Sequence, residues 1–121
     1  MAKILIVDDA LIMRNILRVM LEKAGHEIVG NATNGKEAME IYKAINPDLV
    51  TIDIQMTGGS GLAFLKKLIQ FDADARVIMV STLDDDRINE KARGLGAVGL
   101  VSKPFRIENL LKEVQAALLD Q

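Results

Sequence analysis

The sequence predicts a three-layer α/β sandwich, in which helices cover both faces of a five-stranded parallel sheet. Short apolar runs alternate five times with segments of helical periodicity along the chain. Each run is too short for a buried helix, and the runs are rich in β-branched residues, as strands with both faces covered should be. Alternation of this kind indicates parallel strands that are joined by helical crossovers.

The predicted strands share a nearly continuous apolar character. In an open sheet with right-handed crossovers, helices reach both faces only if the chain winds in two directions. The strand order 2-1-3-4-5 and the flavodoxin-like fold are the known solution of this kind, and ligands then bind beyond the carboxyl ends of the strands. The five runs are Ile4 to Val7, Ile28 to Val29, Leu49 to Ile52, Val77 to Val80 and Val98 to Val101.

Five helices are predicted from apolar stripes. The first runs from about Leu11 to Ala24, and Gly25 then suits the left-handed residue that often follows a helix. The second follows Asn34-Gly35 and stops before Pro47, because proline disfavours helix at the preceding residue. The fourth stripe is the thinnest, so we expect that helix to be the least firmly docked. The last three stripes are Leu62, Leu65, Leu68 and Ile69; Ile88, Ala92 and Leu95; and Ile107, Leu110, Leu111, Val114 and Leu118.

Size and composition limit the function. A chain of 121 residues fits one domain, residues 1–121, without an effector domain. A net charge of −2 and few aromatic residues argue against a nucleic-acid partner. No apolar run approaches the roughly 20 residues of a membrane span, and the start lacks the pattern of a secretory signal. Because cysteine is also absent, we expect a cytoplasmic protein, and we expect it to be monomeric.

Polar side chains follow four of the five predicted strands, where the fold brings them to one rim. Carboxylates about 4 Å apart repel by on the order of 4 kcal/mol per pair at an effective dielectric near 20, enough to raise a pKa or recruit a cation. Lysine at this rim supplies a fixed positive charge, and serine supplies a short hydroxyl. These residues are Asp8 and Asp9, Asp53, Ser81 and Thr82, and Ser102 and Lys103.

This set of side chains suits phosphoryl transfer, in which a protein mainly positions groups and neutralises charge. Asp53 is the carboxylate of the central strand and therefore the candidate nucleophile, since carboxylates form acyl phosphates. Mg²⁺ prefers oxygen ligands and keeps room for a phosphate oxygen. Asp8 and Asp9 would hold the ion, and the backbone carbonyl of Gln55 could add a ligand.

Each residue also has an ordinary interpretation when it is taken alone. Asp8-Asp9 could cap the first helix, and Asp53 could make a turn at a strand end. Ser81 and Thr82 fit helix caps, while Lys103 could be a solvated surface lysine. Their joint occurrence at matching strand ends favours the site.

Six short motifs carry a resemblance that covers nearly the whole chain. In this order, and on these strand ends, the set is highly specific. The chain resembles the receiver domains of response regulators, and more closely the stand-alone chemotaxis regulators of the CheY type. The motifs are Ile4-Leu5-Ile6-Val7-Asp8-Asp9, Asn34-Gly35, Pro47-Asp48-Leu49-Val50 leading to Asp53-Ile54-Gln55-Met56, Gly61, Val80-Ser81, and Val101-Ser102-Lys103-Pro104-Phe105.

The resemblance implies a two-component signalling role. A sensor histidine kinase would phosphorylate Asp53 from a phosphohistidine, with Mg²⁺ bound through Asp9, Asp53 and the Gln55 carbonyl. Asp8 would act largely through water. Such a protein catalyses only its own phosphorylation and dephosphorylation, so it is not an enzyme in the ordinary sense.

The resemblance also implies how phosphate is held and read. Ser81 and Lys103 would contact the phosphate, and the bond between Lys103 and Pro104 would be cis. In the family, an aromatic residue on the fifth strand then repacks and alters the face of helix 4, strand 5 and helix 5, where a downstream target binds. Leu100 takes the place of that aromatic residue, and Thr82 stands where alanine often leaves room. We therefore expect the switch, formed by Ser81, Thr82 and Leu100, to act through the loop from Ser81 to Asp86 and the fourth helix.

Three alternatives come from other classes. A flavin carrier would share the topology, but Asp8-Asp9 would repel a phosphate after the first strand. A haloacid-dehalogenase-type phosphatase needs a second aspartate two residues after its nucleophile, and Gln55 fills that place. A pseudo-receiver, or a module that serves as a phosphate sink, stays open because Leu100 replaces the usual aromatic switch.

Overall fold

A computed structural model describes residues 1–56, 59–82 and 85–119, and a central β-sheet organises them. The strands of the described residues are β1 (Lys3–Val7), β2 (Glu27–Ala32), β3 (Leu49–Asp53), β4 (Gln55–Met56), β5 (Gly59–Ser60), β6 (Val77–Ser81) and β7 (Gly99–Ser102). The helices are α1 (Leu11–Lys23), α2 (Gly35–Ile45), α3 (Gly61–Phe71), α4 (Asp86–Gly94) and α5 (Ile107–Leu119).

The main sheet has the order β2-β1-β3-β6-β7, and all its neighbouring strands are parallel. β4 and β5 form a separate antiparallel pair. When these two short strands are set aside, the order is the predicted 2-1-3-4-5, and the flavodoxin-like α/β fold is confirmed. Strands of two residues are too short to show any periodicity, which is why the sequence did not reveal them.

Two apolar cores lie on the two faces of the sheet, because successive strand side chains point to opposite faces. In β1, Leu5 and Val7 belong to one core, whereas Ile4 and Ile6 belong to the other. The first core is covered by α2, α3 and α4, and the second by α1 and α5. The fully buried helix residues are Ala38, Tyr42, Phe64, Leu65, Leu68 and Ala92 in the first, and Leu17, Leu21, Leu110, Val114 and Ala117 in the second.

The helix boundaries agree with the local signals. Asn34 caps α2 by accepting a hydrogen bond from the Glu37 N–H at 2.8 Å. The same helix ends at Ile45, and Asn46 then takes a left-handed conformation with φ 53°. Gly25 follows α1 with φ 93°, the conformation that glycine adopts without penalty.

The fourth helix is attached to the core through few side chains. Ala92 is its one fully buried residue, and Ile88 is partly buried against the same core. Asp85 caps the helix by accepting from the Arg87 N–H at 2.8 Å. The thin apolar stripe therefore predicted the weak packing of α4.

Several strand boundaries differ from the prediction by one to three residues, as at β2 and β7. β2 continues through Gly30 to Ala32, although the apolar run stops at Val29. A Cβ atom at position 30 would lie 2.8 Å from Ile41 Cγ2, so glycine lets α2 pack closely on this strand. The last strand begins at Gly99, one residue later than predicted. Within the described ranges, no helix is long and apolar enough to cross a bilayer.

Candidate functional site

The carboxyl ends of four strands meet at one rim and bring the predicted polar residues together. Asp8 follows β1, Asp53 ends β3, Ser81 ends β6 and Lys103 follows β7. Asp8, Asp53 and Ser81 are buried, with only 1%, 7% and 4% of their surface exposed. Burial of this kind is unusual for carboxylates unless they are paired or bind a cation.

Three carboxylates converge at this rim. Asp8, Asp9 and Asp53 each offer one oxygen, and these oxygens lie within 4.8 Å of one another. Asp9 is half-buried, so the group is open to solvent on its side. An all-oxygen set of this kind, with negative charge in excess, fits Mg²⁺ better than it fits a softer metal.

Lys103 lies against two of the three acids. Its Nζ is 3.3 Å from Asp8 Oδ2 and 3.5 Å from Asp53 Oδ1. The Lys103 N–H donates to the Ser81 carbonyl at 2.7 Å, and the bond from Lys103 to Pro104 is cis, as the resemblance implied. The backbone of Lys103 is therefore held by Ser81 and its side chain by the two acids, so it is not a solvated surface residue.

The pKa of Asp53 is raised above its ordinary value. Burial is the largest cause and the negative charge of Asp8 is the second, while Lys103 and a hydrogen bond from the Gln55 N–H lower the pKa. The Gln55 N–H lies 3.3 Å from Asp53 Oδ1. Since the raising causes prevail, the carboxylate of Asp53 is held in an environment that favours its neutralisation.

Asp8 and Asp9 do not cap the first helix in the usual way. The N-cap residue of α1 is Ala10, which makes no side-chain cap hydrogen bond. Asp8 Oδ1 instead accepts from the Ala10 N–H at 2.9 Å, and its Oδ2 faces Lys103. Neither acid therefore occupies the N-cap position of α1, and both side chains belong to the rim.

The predicted switch residues lie beside the rim. Thr82 is exposed, and its hydroxyl donates to Gln55 Oε1 at 3.4 Å. Leu100 is half-buried on β7, and its N–H donates to Glu113 Oε1 at 3.2 Å. Two residues of the loop that was predicted to move, Leu83 and Asp84, lie outside the described residues.

Two residues at the rim carry contacts that the sequence alone did not indicate. Arg14 of α1 reaches back to the Asp8 carbonyl, with its Nη1 at 2.7 Å from that oxygen. Gly61 packs directly on the backbone of Asp53, where a Cβ atom would overlap the carbonyl oxygen. The sequence signal for the Arg14 contact was a basic residue one turn into the helix that follows the acids. The signal for the Gly61 contact was the presence of this glycine among the family motifs.

The response regulator receiver domain family matches residues 4–115. The chain belongs to this family. Members of it are signalling proteins and not classical enzymes, so the phosphatase and flavin-carrier alternatives no longer apply. Receiver domains typically hold Mg²⁺ in an acidic pocket, and this chain has an acidic cluster of Asp8, Asp9 and Asp53.

Individual receiver proteins are similar over almost their whole length. Chemotaxis protein CheY of Bacillus subtilis is 41% identical over 116 residues, which are 96% of this chain and 97% of the relative. Protein CcdB of Bacillus subtilis is 39% identical over 118 residues, 98% of each chain. The crystal structure of the CheX-CheY-BeF3-Mg+2 complex from Borrelia burgdorferi contains a chain with a TM-score of 0.93 and 32% identity, covering 98% of this chain and 90% of that one.

Proposed function

We propose that this receiver is a phosphoacceptor of a two-component system, with Asp53 as the residue that is phosphorylated. The observation that carries the proposal is the convergence of Asp8, Asp9 and Asp53 within 4.8 Å, with Lys103 against two of them. A carboxylate nucleophile, a cation site and a fixed ammonium group are the parts that phosphoryl transfer needs.

The proposed reaction takes the phosphoryl group from a phosphohistidine of a sensor kinase. A carboxylate oxygen of Asp53 forms the new phosphorus–oxygen bond, the phosphorus–nitrogen bond breaks, and the imidazole nitrogen keeps the bonding electrons and takes up a proton. Asp8, Asp9, Asp53 and the Gln55 carbonyl would hold Mg²⁺, which supplies charge neutralisation for the phosphate oxygens. Lys103 and Ser81 would contact the same group.

The relatives support a role in chemotaxis. Several of them are chemotaxis proteins CheY, with 36–41% identity and almost complete coverage of both chains in Bacillus and Listeria. We propose that this chain likewise acts as a cytoplasmic, monomeric, one-domain regulator over residues 1–121. Its downstream target would bind the face formed by α4, β7 and α5.

The test of this function is a mass measurement after incubation with acetyl phosphate and Mg²⁺. We expect the native chain to gain about 80 Da, the mass of one phosphoryl group replacing a proton, because Asp53 attacks phosphorus and acetate leaves. Asp53→Asn should gain nothing, since an amide is a poor nucleophile. An adduct that persists in Asp53→Asn, or one that forms equally well in excess chelator, would overturn the proposal.

We also propose that the output passes through α4 and not through an aromatic switch. Leu100 has no aromatic ring that could change its rotamer, and its N–H donates a hydrogen bond to Glu113 of α5. α4 has Ala92 as its one fully buried side chain, so little packing opposes its displacement. Thr82, whose hydroxyl donates to Gln55, directly follows Ser81 at the end of β6, on the chain segment that leads to α4.

Amide spectra with and without Mg²⁺ and beryllofluoride, a phosphate mimic, check this route. We expect the largest shift changes outside the rim at Thr82 and from Asp85 to Leu95. Asp53→Asn under the same conditions is the control and should show none of them. Unchanged resonances from Thr82 to Leu95 in the native chain, together with changes confined to β7, would contradict the route through α4.

A further inference from the structure

We infer that Arg14 is a positioning residue of the cation site: it fixes the segment from Asp8 to Ala10 so that Asp9 faces the other two acids. This inference rests on the proposed function, since it concerns the Mg²⁺ site of the phosphoacceptor. It is carried by the hydrogen bond from Arg14 Nη1 to the Asp8 carbonyl, at 2.7 Å in a partly buried position.

Every polar group of Asp8 has a hydrogen-bond partner, and each partner is a different residue. Its N–H donates to the Ala32 carbonyl at 3.0 Å, which ties it to β2. Its Oδ1 accepts from Ala10 and its Oδ2 from Lys103. The guanidinium of Arg14 satisfies the remaining group, the carbonyl, whose peptide unit leads directly to Asp9. The orientation of that peptide sets where the Asp9 carboxylate points.

The beginning of α1 explains why such a contact matters. Ala10 provides no side-chain cap, and the first turn has no acidic residue. Helices usually gain order at this point from serine, threonine, aspartate or asparagine at the N-cap. Here a guanidinium from the second turn reaches back over the helix start. Its planar array of donors suits a fixed direction, and its charge is permanent.

The contact also leaves the cation site open. Lys103 uses carboxylate oxygens of Asp8 and Asp53, which a bound cation also needs. Arg14 bonds to a backbone carbonyl, and this hydrogen bond therefore occupies no carboxylate oxygen. It can persist when Mg²⁺ binds, as a positioning contact must.

Positioning and simple charge make opposite predictions for Arg14→Met. If Arg14 acted only as a positive charge near the site, removing it would lessen repulsion of Mg²⁺ and tighten binding. If it positions Asp9, removing it should weaken binding, because groups that orient metal ligands are typically worth 10- to 100-fold in affinity. We expect the Mg²⁺ dissociation constant of Arg14→Met to rise about tenfold.

The experiment is a Mg²⁺ titration followed by amide NMR, with Arg18→Met as the matched control. Arg18 lies on the same helix with its side chain exposed, paired with Glu22 at 3.3 Å, so the control removes the same charge without touching Asp8. Arg18→Met should change the dissociation constant by less than about twofold, as expected for a screened surface charge. Arg14→Lys, which keeps the charge but not the planar fork, should fall between the native chain and Arg14→Met.

The phosphorylation rate separates positioning from loss of structure. With acetyl phosphate, Arg14→Met should be slow at low Mg²⁺ and approach the native rate at saturating Mg²⁺. A dissociation constant for Arg14→Met that equals or is tighter than that of Arg18→Met would overturn the inference and leave the proposed function standing. If the native chain showed no Mg²⁺-dependent shifts at Asp8, Asp9 and Asp53, the proposed function would fail, and the inference with it.

Discussion

Replacing Gly61 with alanine is expected to lower the free energy of unfolding by about 3 kcal/mol or more and to prevent phosphorylation of Asp53. Gly61 begins α3 and is fully buried, and its N–H donates to the Ile54 carbonyl at 2.8 Å. A Cβ atom there would overlap the carbonyl oxygen of Asp53 and lie 2.8 Å from its carbonyl carbon. Because these atoms are backbone, they cannot move aside as a flexible side chain would.

The same substitution should disturb the site as well as the stability. The backbone of Asp53 continues from the central strand β3, so a displaced carbonyl at Asp53 moves the carboxylate relative to Asp8 and Lys103. Urea unfolding followed by circular dichroism measures the stability, and the mass change with acetyl phosphate measures the chemistry.

Gly94→Ala is the matched control for Gly61→Ala. Gly94 ends α4, and a Cβ atom at that position would meet nothing within 4 Å. Alanine is favoured over glycine in helices by up to about 1 kcal/mol, so this control should be neutral or slightly stabilising. If Gly61→Ala unfolded at the same urea concentration as Gly94→Ala, the close approach to Asp53 would not matter for stability.

Local signals made the fold predictable. Apolar runs without polar alternation mark strands covered on both faces, and helical spacing between them fixes the crossovers. These signals do not depend on tertiary contacts, which is why the five main strands and five helices were found. β2 was underestimated, since Gly30 interrupts the apolar run but serves the packing of α2.

The placement of the site was also predictable, because the carboxyl ends of parallel strands meet at one edge whatever the side chains are. Asp8, Asp53, Ser81 and Lys103 reach the same rim through topology alone. The contact between Arg14 and the Asp8 carbonyl is different, since it depends on the side-chain conformation that the packed helix allows. Residue spacing does not encode such a conformation.

Lys103 offsets part of the repulsion among the acids of the rim. Lys103 is anchored to β6 by its N–H, and it places its ammonium group between Asp8 and Asp53. A partly buried ammonium that faces two acids offsets part of their mutual repulsion, but it cannot neutralise three carboxylates. The remaining repulsion destabilises the folded state and should lower the free energy of unfolding by a measurable amount.

Asp53→Asn is therefore expected to be more stable than the native chain when Mg²⁺ is absent. Burial and the charge of Asp8 raise the pKa of Asp53, so the folded state prefers the neutral form and the carboxylate destabilises it. The amide removes that charge with little change of shape. At pH 7.5 in the presence of chelator, we expect a gain on the order of 1 to 2 kcal/mol in the free energy of unfolding.

The pH dependence gives the sign of this effect. When folding raises the pKa of a carboxyl group, the free energy of unfolding of the protein falls as the pH rises through the folded-state pKa. Below the unfolded-state pKa, the group lowers it by nothing. The advantage of Asp53→Asn should therefore shrink as the pH falls toward 3.8, the ordinary value for aspartate. Asp86→Asn, at an exposed position in the first turn of α4, removes a carboxylate outside the cluster and should bring no gain.

Mg²⁺ should narrow the stability difference between the two chains, because a bound cation stabilises the charged carboxylate of Asp53. At about ten times its dissociation constant, a ligand of the folded state adds about 1.4 kcal/mol to stability. The native chain should receive this increment, and Asp53→Asn should receive less because it has lost one of three acids. Urea unfolding with and without Mg²⁺ measures both effects. If Asp53→Asn were less stable than the native chain in chelator at pH 7.5, that result would contradict a pKa of Asp53 that is raised by burial and by the charge of Asp8.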